Sequence, residues 1–378
     1  MADTILSAGN VESAAARRAL KNLNKRIVAV RTRIEPADSA LPEAAELIRS
    51  GELVAFPTET VYGLGADAFN EAAAGKIFEA KGRPRDNPLI VHLKGAEQLE
   101  LVSLVNEEIM NVARKVWPGP VTLVLPRAHD LPDPVTSGLK TVAVRVPAHP
   151  VALALIELSG TPIAAPSANL AGKPSPTNAK HVIEDLQGRV DAIIDAGETF
   201  FGVESTIVNL AVNPPVLLRP GALGTEELEP IIGKITVPEE AHGYESEVAI
   251  APGMKYRHYA PAKRVVLAGD RKNYLKILER SAGCGIPAAI CSEEMKPAVD
   301  ALGIRSIIIG RESDLYTVAR GLFSSLRILD ETDADFGVAQ PFDERGIGLA
   351  IMNRLRKATG HTIINSPDEL PHALYRQC

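Results

Sequence analysis

A chain of 378 residues is longer than a single hydrophobic core usually grows, so two domains are expected. With 46% hydrophobic and 23% charged residues it reads as globular, and no apolar run is long enough for a membrane span. The net charge of -6 argues against a protein whose whole surface binds nucleic acid, while leaving room for a local basic patch.

From Met1 to about Arg33 the chain is basic, with Arg17, Arg18, Lys21, Lys25, Arg26, Arg31 and Arg33 against Asp3 and Glu12. This stretch lacks the apolar core of a secretory signal and reads as an N-terminal extension, residues 1–33, so export is not expected. Cys284, Cys291 and Cys378 lack metal-ligand spacing, which points to a reducing, cytoplasmic compartment with no disulfide framework or zinc site. Helical spacing over Leu41–Ser50 puts Leu41, Ala45 and Ile48 on one face, with Pro42 in the first turn and Gly51 as the stop. Leu53–Phe56 reads as a buried strand ended by Pro57, and Thr58–Ala68 as a polar, Gly-rich return. The Gly63-x-Gly65-x-x-Ala68 pattern is not a dinucleotide fingerprint: Pro57 breaks the preceding strand, and no suitable acid closes a second strand about 20 residues later. No Gly-x4-Gly-Lys-Ser/Thr loop occurs either, so a nucleotide would be held without either common device.

Asn70–Ala80 is expected to be helical and to deliver the chain to Lys81-Gly82-Arg83-Pro84-Arg85-Asp86-Asn87-Pro88, which its prolines and glycine keep from being regular helix. Cations on a rigid bend before the short buried strand Leu89–Val91 suit a phosphate or carboxylate, since Arg offers a planar donor fork and Lys a point charge. Taken alone, the stretch reads equally as a solvated basic turn. Ala96–Lys115 reads as two helical pieces, Trp117–Pro120 as a corner and Val121–Leu125 as a strand. In the alternating run Thr141–Pro147, Arg145 shares a face with Ala143, opposite Val142, Val144 and Val146. It is either a snorkelling edge residue or a buried anion ligand.

A helix over Val151–Ser159 and a strand over Pro162–Ala165 lead into Pro166–Thr177. Small hydroxyl and amide side chains there directly follow a strand end, where open α/β sheets bind ligands. Ser167 and Asn169 also fit ordinary turn hydrogen bonding. Thr177 is expected to cap a helix over Ala179–Leu186, Ala192–Asp195 to be a strand, and Ser205 and Thr206 to stand at a strand entrance. Val216–Arg219 ends in a second strand-borne arginine. These elements predict a mixed α/β sheet over residues 34–226 with one polar, basic face.

Residues 227–262 read as a linker, and Ala251–Pro261, with two Tyr, Arg, His, Lys and Met, as a lid. From Lys263 to residue 378, strands at Arg264–Leu267, Ala288–Cys291, Ser306–Ile309 and Gly337–Ala339 alternate with helices near Lys272–Ala282, Glu293–Leu302, Asp314–Leu329 and Gly346–Thr359. That alternation implies a smaller, Rossmann-like parallel α/β domain, with a regulatory or assembly role rather than a second active site.

The segments Phe56–Gly65, Lys81–His92, Trp117–Leu125, Thr141–Pro147, Pro166–Ser175, Glu204–Val208, Arg219–Gly221 and Pro252–Pro261 together resemble the L-threonylcarbamoyladenylate synthase family, in its two-domain form with a YrdC-like catalytic domain. The pairs Lys81/Arg83 and Ser167/Asn169 carry most of that resemblance. It implies condensation of L-threonine, bicarbonate and ATP, with Mg²⁺ carried by the ATP and no protein metal ligands. Pyrophosphate is released, and the product passes to partner threonylcarbamoyl-transferase proteins that modify tRNA. By motif, Lys81, Arg83, Asn87, Thr141, Ser167, Asn169, Ser175, Arg219 and His258 would hold ATP, with Lys81 and Arg83 catalytic. Thr60, His92, Arg145, Ala165 and Ser205 would hold threonine and its carbamate. His92 also reads, less readily, as a satisfied core histidine.

Two other readings stand beside this one. The basic sheet face would serve as a non-catalytic RNA platform, and weak RNA binding stays open at this point, but the hydroxyl and amide set is not needed for backbone contacts. Carbamoyl transfer to another acceptor, as in hydrogenase-maturation proteins with a similar domain, usually comes with zinc-finger cysteines that are missing here.

Overall fold

The computed structural model describes residues 32–128, 131–244 and 258–374. Most of the N-terminal extension and residues 251–257 of the expected lid lie outside the described residues.

Ten strands form one mixed sheet: β1 Arg33–Pro36, β2 Val54–Phe56, β3 Gly63–Asp67, β4 Ile90–His92, β5 Val121–Pro126, β6 Thr141–Arg145, β7 Ile163–Ala165, β8 Ala192–Asp195, β9 Thr206–Asn209 and β10 Val216–Arg219. Their spatial order is β1-β8-β2-β3-β7-β4-β6-β5-β9-β10. A second, wholly parallel sheet holds β11 Arg264–Ala268, β12 Pro287–Ser292, β13 Arg305–Gly310, β14 Phe336–Ala339 and β15 Ile363–Ile364, in the order β13-β12-β14-β11-β15.

Alternation along the central strands separates two faces. Val91, Val144, Ala164, Val208 and Leu217 belong to the large core beneath the sheet. Ile90, Val124, Ala143, Ile207 and Leu218 form a small apolar floor on the other side. Because β4 and β6 pair in register, with Ile90 beside Ala143 and His92 beside Arg145, the polar pair extends that floor.

Several elements depart from the sequence reading. The first helix runs Ala37–Arg49, so Pro42 falls inside it rather than in the first turn. Its buried Ala40, Ala44, Ala45 and Ile48 pack on Val54 and Ile156, and this burial outweighs the weak local signal. Half of the supposed Gly-rich return is strand β3, laid against Phe56 and Ile163. A Cβ at Gly65 would stand 2.7 Å from Ile163 Cγ2 and 2.8 Å from Phe56 Cε1, so glycine there reflects close packing rather than a turn. Asn178, not Thr177, caps the helix Ala179–Leu186, accepting from the His181 amide at 3.0 Å.

The stretch read as a linker begins with a helix, Thr225–Ile232, and a short 3-10 turn, Glu239–His242, which bury Leu228 and Ala241. Acidic residues and Pro230 mask that pattern in the sequence. Strand β15 has only two residues, too few to show a period. Cys291 is free and buried.

Candidate active site

A cavity of about 300 Å³ opens over the polar end of the floor. Of the residues singled out from sequence, Thr60, Lys81, Arg83, Asn87, His92, Arg145, Ala165, Ser167, Asn169, Ser205, Arg219 and His258 line it. Ser175 and Thr141 do not. Ser175 is fully buried behind the wall, where its hydroxyl donates to Glu204 Oε1 at 2.6 Å. Thr141 sits at the far end of β6, paired with Pro126. Thr58, Tyr62, Glu204 and Tyr259 line the cavity without having been assigned a role.

Lys81 is the last residue of the helix Glu71–Lys81, and Gly82 closes that helix in the left-handed region at φ 62°. The helix end aims the ammonium across the cavity at the loop after β7, where it donates to the carbonyl oxygens of Ser167 and Asn169. The Ser167 hydroxyl donates to Asn169 Oδ1 at 2.5 Å, and Asn169 Nδ2 donates to the carbonyls of Leu170 and Lys173. Arg83 Nη2 reaches back to the carbonyls of Asn87 and Pro88, both at 3.1 Å, which closes the bend on itself. The buried Arg83 Nε and Asn87 Oδ1 have no hydrogen-bond partner among the described residues. Arg85, the third cation of the bend, faces outward toward Glu79 at 3.7 Å and takes no part.

The two strand-borne arginines are held differently. Arg145 lies on central strand β6 with 3% of its surface exposed, so the snorkelling-edge alternative does not hold. Its Nη2 stands 2.6 Å from Glu59 Oε2, and Nη1 donates to Thr60 Oγ1 at 2.9 Å. Arg219 follows a bulge in β10 that brings it opposite Ile207, on the floor side. It donates to the Ser205 carbonyl from Nε and Nη2, and to Ser205 Oγ at 3.1 Å. His92 is buried edge-on to Phe56, with Nδ1 at 3.1 Å from the Ile90 carbonyl.

Charge inside the cavity is strongly perturbed. Burial, reinforced by Arg83, pushes the Lys81 ammonium well below its usual range. Burial brings Arg83 and Arg219 down to about 10, with Arg219 repelling Arg83. Burial and then Arg145 lower His92 to about 3, so its ring is neutral near pH 7. Burial alone would raise the Glu204 carboxyl, but Arg354, Arg219 and Ser175 outweigh it and hold the group down to about 2. Cations pressed together away from water favour an anionic ligand that relieves both the desolvation and the repulsion.

The end of the expected lid closes one side. The Ala260 amide donates to the Gly172 carbonyl at 2.9 Å, and Tyr259 packs on Phe323 with ring centroids 5.1 Å apart. A cavity rich in cations at the strand ends of a mixed α/β sheet, with hydroxyl and amide groups opposite them, suits a phosphate-bearing ligand beside a smaller polar one.

Comparison with known proteins is specific. Residues 46–221 match the Sua5/YciO/YrdC family described as telomere recombination, and residues 223–360 match the C-terminal domain of threonylcarbamoyl-AMP synthase. The chain is 50% identical to the threonylcarbamoyl-AMP synthase of Pyrococcus abyssi over 89% of its own length and 98% of that protein. It is 49% identical to that of Bacillus subtilis, over 86% and 95%. The crystal structure of Pyrococcus abyssi Sua5 with L-threonine superposes with a TM-score of 0.80 at 47% identity, covering 88% of this chain and 98% of that one. The chain belongs to the threonylcarbamoyl-AMP synthase family.

Proposed function

We propose that the protein is a nucleotidyltransferase that joins L-threonine, bicarbonate and ATP into threonylcarbamoyl-AMP and releases pyrophosphate. One observation carries the reading: Lys81, Arg83, Asn87, Asn169 and Arg219 share a single cavity with Thr60, His92, Arg145 and Ser205. The first set suits the phosphates and sugar of ATP, with Ser167 and His258 alongside. The second suits a small amino acid.

Threonine's carboxylate would approach Arg145, whose guanidinium Glu59 and Thr60 already orient. Its amine and bicarbonate condense to a carbamate with loss of water. The carbamate oxygen then attacks the α-phosphorus, forming a new P–O bond as the bond to pyrophosphate breaks. This displacement needs positioning and neutralisation of charge more than covalent help, which Lys81, Arg83 and Arg219 are suited to provide. Neutral His92 would contribute a hydrogen bond and no charge. No protein base is assigned to the attack on phosphorus, because the carbamate oxygen is already anionic.

The donor set does not fit a resident metal: among the described residues Glu204 is the one acid on the wall, and Ser175 and Arg354 already occupy it. Magnesium would be held by the phosphates of ATP. Closure by the segment ending at Tyr259 would keep water from the labile carbamate and anhydride. We take residues 34–226 as the catalytic unit and 263–378 as a second unit. The cytoplasm is the compartment that suits this chemistry, and the product would pass to transferases acting on tRNA. An RNA platform is disfavoured because Lys81 and Arg145, 2% and 3% exposed, are out of reach of a nucleic-acid backbone.

The test is to incubate the protein with ATP, bicarbonate and each amino acid in turn and to follow pyrophosphate. Release should depend on threonine and on bicarbonate. Release that ignores threonine would overturn the reading.

A further inference from the structure

Arg354 lies on the helix Ile347–Ala358, which packs against the second sheet, yet its side chain is fully buried against the cavity wall of the first. Its Nε and Nη2 both stand 3.0 Å from Glu204 Oε2, and Nη1 donates to the Pro220 carbonyl at 2.7 Å. The guanidinium also lies 5.7 Å from the centre of the Tyr259 ring. One side chain therefore touches the entrance of β9, the exit of β10 and the end of the expected lid. Each of those segments carries a cavity residue: Ser205, Arg219 and Tyr259.

Glu204 makes this arrangement consequential. It is a buried carboxylate on the wall of a cavity suited to anions, one residue before Ser205, whose carbonyl and hydroxyl hold Arg219. An acid at that place opposes an incoming phosphate unless another cation engages it, and it competes for the guanidinium of Arg219. Arg354 engages it from outside the cavity.

We propose that Arg354 is a positioning residue for the nucleotide: by holding Glu204, it keeps that carboxylate from drawing Arg219 out of the cavity wall, so the second sheet completes the ATP site of the first. The inference rests on the reading of the cavity as an ATP site. It gives the C-terminal unit a role in substrate affinity, set by an ion pair between residues 150 positions apart.

The experiment is a double-mutant cycle on the full chain with Arg354→Met, Glu204→Gln and the pair, measuring dissociation constants for ATP and for L-threonine along with thermal unfolding. Arg354→Met should weaken ATP by about tenfold or more while threonine changes by less than about twofold. Adding Glu204→Gln should recover most of the loss, because no unpaired carboxylate then remains to compete. Arg354→Lys, which keeps the charge but not the fork, should fall between wild type and Arg354→Met. If Arg354→Met fails to fold, the paired variant is read against Glu204→Gln, and near-equal ATP affinity is expected. The inference is overturned by an Arg354→Met protein that binds ATP as wild type does, by a paired variant that binds no better than Arg354→Met, or by equal losses for ATP and threonine. Wild type that binds no ATP would instead sink the reading of the cavity itself.

Discussion

Lys81 carries its charge into a place where burial and Arg83 both disfavour it, so an anionic ligand is the partner that would relieve it. Among the described residues Arg83 donates to carbonyls of its own bend, so its loss should leave the rest of the fold in place. Arg83→Ala is expected to abolish threonine-dependent pyrophosphate release while unfolding stays cooperative; retained turnover would remove this residue from the site. Acid sensitivity follows from the buried histidines. Burial and then Arg145 take His92 from 6.5 to about 3, and burial and then Arg327 take His181 to about 4. Both rings bind a proton more readily in the unfolded chain. Their contribution is therefore complete above pH 6.5 and declines as pH falls toward 4, each with a slope of about 1.4 kcal/mol per pH unit at most. Urea midpoints at pH 7 and pH 5 should lie closer together for His92→Gln than for wild type. An unchanged gap would show that His92 is not held neutral by the fold.

At the scale of elements, the turn after β10 depends on a close approach of two backbones. A Cβ on Gly221 would stand 2.2 Å from the Thr206 amide nitrogen and 2.4 Å from the Ser205 carbonyl carbon, and neither can give way without moving the entrance of β9. Gly221→Ala should destabilise the protein by about 1–3 kcal/mol in urea unfolding and weaken ATP binding in parallel. Full stability in that variant would mean the two segments are not tightly apposed. This is also the scale at which the sequence was most readable. Lys81, Arg83 and Asn87 stood out because Gly82, Pro84 and Pro88 announce a bend within the same few residues. Arg145 and Ala143 were placed on one face by simple alternation, which β6 obeys. Strand β3 was missed because its glycines answer to Phe56 and Ile163, contacts no local pattern reveals. Glu204 could have been noticed as a lone acid at a strand entrance among basic strand ends. Nothing local sets Arg354 apart from Arg356 and Lys357 on the same helix.

At the scale of the whole molecule, two buried arginines from the second sheet's helices grip the periphery of the ten-stranded sheet. Beside Arg354, Arg327 of the helix Leu315–Glu331 donates to Asp185 Oδ2 at 2.8 Å and to the Pro174 carbonyl at 2.6 Å. Asp185 is otherwise reached by Lys173 and by the Leu170 amide, so this grip ends on the loop that carries Asn169. Removing one partner of such a pair strands a buried charge. Arg327→Met should lower stability by about 3 kcal/mol or more, and Arg327→Met with Asp185→Leu by less than the sum of the single losses. Simple additivity in urea unfolding would show that the two side chains do not act as a pair. None of this assembly was legible in the sequence, because a regular α/β repeat announces its own core but not the cations it lends to a neighbour. The cavity remains the centre of the account. Its most direct test is to supply carbon-labelled bicarbonate with ATP and L-threonine to wild type and to Arg83→Ala. Label is predicted to appear in a threonine–AMP adduct with wild type only, in step with pyrophosphate. Pyrophosphate without labelled adduct, or adduct formed equally by Arg83→Ala, would contradict it.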